Sequence, residues 1–532
     1  MLDTLLAATE LLLRLDVLLM ICGGLVLGML VGALPGFTTV MAMAIVLPIS
    51  FFLEPIVGIP FLIGVYKGGI FGGSIPAILV NIPGTGASVA TTFDGPALTR
   101  KGQSRKALEM ALVASAVGDF LSSFATILVI GAIAAIALLI GPPEVAAILL
   151  LSLLVIAVTA SGSPIKGLVM LLVGAFLAMI GQDPIGALAR FDFGFHQLQA
   201  GIDLLPLIIG LFAIPEILLA LESRKASFVE ARQTRAEGDP LTWREITASR
   251  RTILRSTLIG GTIGMIPGVG QVVAAFMGYS AARNAAKDPS RYGKGELDGV
   301  AAPEAANNAV NGPTMVPLLT LGIPGDNITA ILLGAFVAQG LRPGPQLFEE
   351  QGVLVYAILG SMLIACVLML LIGWVLMPLF ARIVSIDKAY LVPLMLLFAV
   401  GGTYVYRSNP MDLWFMIGFG VVGYVARKLA FDVSPLVMGF ILTPPLEYAV
   451  GQTVLLARGD VAGYLVGERP ITIAVLLLAP LLTAWILVRQ HRRMRALGRE
   501  SASKVDANAP QEGTETDGNA RVDLNRSTGG QG

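Results

Sequence analysis

Tyr66 to Thr92 reads YKGGIFGGSIPAILVNIPGTGASVATT. The stretch is apolar enough to lie at membrane depth, yet it holds Lys67, two glycine pairs, Pro76 and the polar run from Asn81 to Ser88. A helix cannot continue through Pro83-Gly84, because proline removes a backbone donor and glycine leaves the helical conformation cheaply. The backbone is expected to open there. Open backbone inside a bilayer is tolerated only where it is buried in protein or lines a wet cavity.

A second copy lies downstream. Asn311 to Thr329 reads NGPTMVPLLTLGIPGDNIT, with the same Pro-x6-Pro-Gly spacing from Pro317 to Pro324 that runs from Pro76 to Pro83. A small polar cluster follows each, Thr85 and Ser88 in one and Asp326, Asn327 and Thr329 in the other. Two interrupted spans at matching positions of two halves point to the binding site of a transporter.

The rest of the chain fits a membrane setting. Its 532 residues are 55% hydrophobic and 14% charged, too little polar surface for a soluble protein of this size. Lys plus Arg balances Asp plus Glu, which argues against a nucleic-acid partner. Cys22 and Cys366 lie in apolar runs, and with only His196 and His491 beside them no zinc-ligand cluster is expected. The acidic N-terminal segment lacks the basic start of a signal peptide and reads as mature sequence.

Apolar segments of spanning length occur at Leu15 to Ala33, Phe37 to Leu53, Ala107 to Ile140 (long enough to tilt or break), Glu144 to Ala160, Ile165 to Gly181 and Asp203 to Leu221. After a stretch rich in Lys and Arg the order repeats, with Ile253 to Ala282, Pro303 to Gly340, Val353 to Phe380, Ala389 to Tyr406, Met411 to Ala426 and Val433 to Leu456. Landmarks repeat with it. Gly32-Ala-Leu-Pro-Gly36 answers Gly264-Met-Ile-Pro-Gly268, Pro164 answers Pro410, and Asp203-x-x-Pro206 with Pro215 answers Asp432-x-x-Pro435 with Pro444. The expected units are a first transmembrane repeat (1–221), a basic cytoplasmic linker (222–252), a second repeat (253–456), an extra transmembrane helix (457–489, apolar from Ile471 to Val488) and a disordered cytoplasmic tail (490–532).

Charge sets the orientation. Arg100, Lys101, Arg105 and Lys106 crowd a loop whose second-half counterpart is acidic, whereas Arg283, Lys287, Arg291 and Lys294 crowd a second-half loop whose counterpart around Glu54 has no Lys or Arg. The positive-inside bias therefore changes sides between halves, as inverted-topology repeats require. Because the linker and the loop from Arg283 are both basic, Ile253 to Ala282 is expected to enter and leave on one side, as a re-entrant hairpin tipped by Pro267-Gly268. Leu15 to Leu53 would be its mirror, although those arms are long enough to cross.

The chemistry comes from the interruptions. Where a helix restarts inside the membrane its first amides are unpaired and carry partial positive charge, which makes an anion site of backbone. Thr38-Thr39, Thr85 to Ser88, Gly270-Gln271 and Asp326 to Thr329 each follow a Pro-Gly, so their short side chains cap such a restart or reach a carboxylate. Helix ends of the opposite sense, with freed carbonyls, suit a sodium ion. Caps at packed kinks would use the same residues. Lys67 in apolar sequence needs a function or a partner, either an anionic substrate or a carboxylate such as Asp119. Glu304, Asn307, Asn308 and Asn311 share one helical face, which is the wall of an ion path or a packing seam.

Two lookalikes are set aside. Gly84-Thr-Gly86 lacks the third Rossmann glycine, and no Gly-x4-Gly-Lys-Ser/Thr occurs. An intramembrane aspartyl enzyme built on Pro324-Gly325-Asp326 needs a second membrane aspartate, for which Asp119 is the only ready candidate.

Gly32-Ala-Leu-Pro-Gly36, the run from Gly72 to Gly84, Asp94-Gly-Pro-Ala-Leu98, Ala302 to Asn308 and Leu321-Gly-Ile-Pro-Gly325 resemble TctA, the large membrane subunit of bacterial tripartite tricarboxylate transporters. The resemblance runs from about Leu15 to Leu456. It implies a small TctB-like membrane subunit, a periplasmic TctC-like substrate-binding protein, an inner-membrane location and uptake of tricarboxylates, dicarboxylates or similar organic acids on an ion gradient, typically sodium. It also identifies the signature loops as Pro35-Gly36, Pro83-Gly84, Pro267-Gly268 and Pro324-Gly325.

The expected protein is thus an all-α polytopic permease of two inverted repeats with re-entrant or broken helices, and not an enzyme. Its substrate is expected at Thr38, Thr39, Lys67, Gly84, Thr85, Gly86, Ser88, Gly270, Gln271, Gly325, Asn327 and Thr329. Its coupling cation, sodium or a proton, is expected at Asn81, Glu304, Asn307, Asn308 and Asp326. An anion channel would use the same broken helices without coupling.

Overall fold

The computed structural model describes residues 2–160, 163–186, 188–222, 238–384 and 391–481. Residues 223–237 of the basic linker, the far end of the last expected span and the tail lie outside the described residues. Apart from a two-stranded hairpin at Gly181–Gln182 and Ala189–Arg190, the described chain is built on helices.

The first half begins with α1 (Leu2–Leu12), α2 (Leu15–Ala33) and α3 (Thr39–Ser50), continues through α4 (Pro55–Gly72) and α5 (Ser74–Val80), and passes by a 3-10 turn (Ala87–Phe93) and α6 (Gly95–Arg100) into α7 (Ser104–Ala137). The apolar stretch that begins near Ala107 is thus one unbroken helix of 34 residues. Next come α8 (Pro142–Thr159), α9 (Pro164–Ala178), and α10 (Leu204–Ile208) with α11 (Ile214–Glu222), joined by a π turn at Ile209–Ala213.

The second half holds α12 (Trp243–Gly264), α13 (Gly270–Ala285), α14 (Leu297–Asn308), α15 (Met315–Leu321), α16 (Asn327–Ala338) and α17 (Gln346–Glu350). It ends with α18 (Gly352–Ile383), α19 (Leu391–Arg407), α20 (Pro410–Lys428), α21 (Ser434–Leu456) and α22 (Val461–Glu468). A helix from Pro470 to Leu481, bent by 101° from α22, covers the described part of the last expected span. Among the described residues six helices are suited by length and composition to crossing a membrane, or seven if that bent pair is one span.

The centre of the fold is α4, which is buried from Ile56 to Gly72. It lies against α2 because glycines on the two helices face each other at four-residue spacing. A Cβ on Gly24 or Gly28 would lie 2.2 or 2.3 Å from the carbonyls of Phe61 or Val65, and one on Gly64 or Gly68 would lie 2.6 or 2.3 Å from those of Ile21 or Leu25. Lipid offers no hydrophobic drive between helices, so close backbone packing through small residues supplies the cohesion instead. In the second half the glycines are on α12 alone, Gly260 facing the Ala306 carbonyl of α14 and Gly264 that of Val310 just beyond it.

The interruptions fall where the prolines and glycines demand. α5 ends at Asn81, in the left-handed conformation at φ 59°, and α15 ends at Gly322, left-handed at φ 69°, five residues after the matched Pro76 and Pro317. The turn between α12 and α13 has Gly268 and Gly270 at positive φ, and the turn between α2 and α3 has Gly36.

Both ends of the α12–α13 hairpin are tied to one set of loops. The Leu241 amide donates to Glu109 at 2.6 Å and Lys106 pairs with Glu245 at 2.8 Å, while buried Asp94 accepts from the amides of Gly293, Gly295 and Glu296 and from the Tyr279 hydroxyl. The hairpin thus enters and leaves at the end carrying Arg100 to Lys106. Its first arm is longer than expected, since α12 starts at Trp243. The α2–α3 hairpin is tied at the other end, where Arg14 reaches Glu54 at 3.2 Å and Gln339 donates to the Ser50 carbonyl at 2.8 Å.

Candidate functional site

Four helix restarts, each just after a Pro-Gly, line one cavity of about 390 Å³. Thr38 and Thr39 open α3, Thr85 and Gly86 precede the 3-10 turn, Gly268 to Val272 open α13, and Asp326 to Ile328 open α16. A fifth start, that of α21, contributes Asp432 to Pro435. At a helix start the first amides have no carbonyl partner within the helix; some are taken here by capping side chains, and the positive ends of several helix dipoles are gathered around one space.

The two central restarts are built alike. The Thr85 amide donates to Ser88 Oγ at 3.0 Å, the Ser88 amide to Thr85 Oγ1 at 3.2 Å, and Ser88 Oγ to the Thr85 carbonyl at 3.0 Å. In the second half the Asp326 amide donates to Thr329 Oγ1 at 2.9 Å, the Thr329 amide to Asp326 Oδ1 at 2.8 Å, and Thr329 Oγ1 to the Asp326 carbonyl at 3.0 Å. These are reciprocal capping boxes, in which two short polar residues three apart satisfy each other's amides. Ser88 and Thr329 therefore support the restarts from behind, while Thr85 and Asp326 face the cavity. Gly84 and Gly325 also stand behind it, Gly84 donating to the Gly73 carbonyl at 3.1 Å and the Gly325 carbonyl accepting from Gly268 at 2.9 Å.

Several lining groups are committed and some are free. Thr38 caps α3 by accepting from the Met41 amide, Asn327 donates to Ser434 Oγ at 2.7 Å, and Thr39 Oγ1 is buried with no hydrogen-bond partner. An unpaired buried hydroxyl is costly unless something visits it. Gln271 is the branch point. It lines the cavity and its Nε2 donates to Tyr66 Oη at 2.9 Å and to Asn311 Oδ1 at 3.0 Å.

Beyond Gln271 lies Lys67. It does not line the cavity: its Nζ sits 2.5 Å from Asp119 Oδ1, with both side chains wholly buried, and Cys366 and Ser123 lie at 3.4 and 3.5 Å. Asn311 Nδ2 donates to the other Asp119 oxygen at 3.0 Å, so the pair joins the cavity through Asn311 and Gln271. The partner reading of Lys67 is the one the geometry carries.

One turn along the α7–α14 interface is a second polar group. Glu304, fully buried, accepts from Thr91 at 2.5 Å and Ser115 at 3.2 Å, and Asn308 Nδ2 donates to Ser115 at 2.8 Å. Asn308 Oδ1, both side-chain polar atoms of Asn307 and Thr314 Oγ1 are buried without partners. They lie at the end of α14 and along the buried turn to α15. Asn81 stands elsewhere, exposed, as the left-handed end of α5. Among the described residues no three His, Cys, Asp or Glu gather as a transition-metal site.

The structure adds lining residues that sequence reasoning missed, chiefly Thr159 at the α8 end, Phe212 on the π turn, and Arg427, Phe431, Asp432 and Ser434 from the last turn of α20 to the start of α21. Asp432 stood out only as a repeat landmark. Arg427 carried no local signal.

Comparison with known proteins gives the family. The model of the tripartite tricarboxylate transporter TctA family matches residues 18–438. The chain is 36% identical over 441 residues, 82% of its length and 87% of the relative's, to the "Uncharacterized 52.8 kDa protein in TAR-I ttuC' 3'region" of Agrobacterium vitis. It is 38% identical over 201 residues, 38% of its length and 83% of the relative's, to the "Uncharacterized protein in TAR-II ttuC' 3'region" of the same organism. No solved structure matches it. The chain belongs to the tripartite tricarboxylate transporter TctA family, as a multi-pass membrane protein.

Proposed function

We propose that this chain is the permease subunit of a binding-protein-dependent importer that moves a small organic acid, a tricarboxylate or dicarboxylate, by alternating access driven by a sodium or proton gradient. The observation that carries the reading is the convergence of Thr38-Thr39, Thr85-Gly86, Gly270-Gln271 and Asp326-Asn327 on one cavity. Backbone amides at helix starts bind carboxylates without a fixed charge, so they release them again.

The two halves act as inverted repeats, 1–221 and 253–456, with 222–252 as linker, 457–489 as an extra helix and 490–532 as a cytoplasmic tail. Support comes from the α2–α3 and α12–α13 hairpins, tied at opposite ends, and from the matched Thr85–Ser88 and Asp326–Thr329 boxes. The cation binds at Glu304, Asn307 and Asn308, where the unpaired buried side-chain oxygens of Asn307 and Asn308 favour such a guest. The partners are a small TctB-like membrane subunit and a periplasmic TctC-like protein that delivers the acid, in a bacterial inner membrane.

Uptake of labelled citrate and succinate into proteoliposomes, with and without a sodium or proton gradient and with and without the partner proteins, tests this. Accumulation that needs both a gradient and the partners supports it. Gradient-independent equilibration in the absence of partners would mean a channel.

A further inference from the structure

Among the described residues lining the cavity, Arg427 is the one cationic side chain. It sits in the last turn of α20, 27% exposed, and its guanidinium donates through Nη1 to Glu216 of α11, which is 15% exposed. The next residue, Lys428, forms a parallel pair with Glu222, but that pair is 44% and 49% exposed and outside the cavity lining. Two ion pairs join α20 to α11, and only one is turned toward the cavity.

The backbone beneath it is unusual. The π turn at Ile209–Ala213 inserts a residue into the helix and re-aims the side chains of α11, a feature that recurs at functional sites. Phe212 of that turn lines the cavity, and Glu216 lies one turn later. The two acidic lining residues each cap a helix start: Asp326 Oδ1 accepts from the Thr329 amide and hydroxyl, with Oδ2 accepting from Tyr66 Oη at 3.5 Å, and Asp432 Oδ1 accepts from the Ser434 amide. The bond to Glu216 leaves the other N–H donors of the Arg427 guanidinium for a second acceptor.

We propose that Arg427 is a second carboxylate anchor held in reserve by Glu216. Resting on the carboxylate reading above, the inference is that a substrate with two carboxylates places one at the helix restarts and the other on Arg427, displacing Glu216. Arg427 then sets the preference for diacids over monoacids. Glu216 competes with the substrate for the same guanidinium, so loss of the two partners acts in opposite directions. A simple staple between α20 and α11 would weaken in the same direction whichever partner were lost.

The test is calorimetric binding of succinate and of butyrate, equal in carbon count but unequal in charge, to the purified full-length chain in nanodiscs. Wild type is expected to favour succinate. Arg427→Gln should weaken succinate binding about tenfold, the weight of one charge-assisted contact, and leave butyrate unchanged. Glu216→Gln should strengthen succinate binding and also leave butyrate unchanged. If Arg427→Gln fails to fold, the Glu216→Gln/Arg427→Gln pair, which buries no lone charge, should bind the two acids alike. Shifts of the same sign in both variants, equal shifts for butyrate, or a retained succinate preference in the double variant would overturn the proposal. Wild type binding succinate and butyrate without preferring succinate, or binding citrate but neither of them, would overturn the anchor alone, whereas wild type binding none of the three would overturn the carboxylate reading and the anchor with it.

Discussion

The Gly268 amide donates to the Gly325 carbonyl at 2.9 Å, joining the two Pro-Gly turns of the second half into one wall of the cavity. Gly268 is at φ 79°, and a Cβ there would lie 2.3 Å from Ile156 Cγ1. Left-handed backbone costs a non-glycine residue about 1–2 kcal/mol before any clash. Gly268→Ala should therefore displace the turn and lower uptake by roughly tenfold to a hundredfold, as misplacement by about an ångström does in other sites. Initial uptake rates normalised to monodisperse protein would check this, and wild-type rates would contradict it.

Lys67 and Asp119 should behave as a unit. Removing one partner of a buried pair leaves a lone charge, at about 3–5 kcal/mol, whereas removing both does not. Lys67→Met and Asp119→Asn are expected to lower the melting temperature strongly, and the double variant to recover most of the loss. A double variant as unstable as the sum of the singles would show that the two groups do not depend on each other.

The glycine facing of α2 and α4 makes a paired prediction. A Cβ on Gly23 meets nothing within 4 Å, while one on Gly28 meets backbone at 2.3 Å. Gly28→Ala should destabilise the protein by about 1–3 kcal/mol through overpacking, and Gly23→Ala should not. Thermal melts of the two variants in the same detergent compare them directly.

Lys106 and Glu245 tie α7 to the start of α12. Burial opposes the Glu245 charge, but hydrogen bonds from Lys106 and Thr242 outweigh it and pull its pKa down from 4.5 to about 2. A depressed carboxyl stabilises the fold above its unfolded pKa and loses that contribution as the pH falls through its folded one. The melting-temperature gap between wild type and Glu245→Gln should be constant from pH 7 to about pH 5 and shrink only below about pH 4.5. A gap that closes near neutral pH would rule this tie out.

Local features of the fold were legible. Pro83-Gly84 and Pro324-Gly325 mark the broken segments because proline and glycine act on their own backbone. The Thr85–Ser88 and Asp326–Thr329 boxes could be read because capping partners are three residues apart. The need of Lys67 for a counter-charge was visible, with Asp119 among the candidates, because charge in apolar sequence is costly wherever it folds. The facing glycines of α2 and α4 were there to be read as four-residue spacings. Arg427, Phe212 and Ser434 could not be placed, because their position at the cavity depends on how α10, α11, α20 and α21 pack against the restarts, which no short window encodes. The grouping of Thr91 and Ser115 around Glu304 is likewise long-range.

The central claim is that restarts from both halves form one carboxylate site. Its most direct measurement is the labelling rate of Thr85→Cys and Asn327→Cys by a polar maleimide, in a Cys22→Ser background because buried Cys366 is shielded. With citrate or succinate present, both positions should be protected together and over the same concentration range. Labelling that neither acid slows, or protection of one half alone, would contradict it.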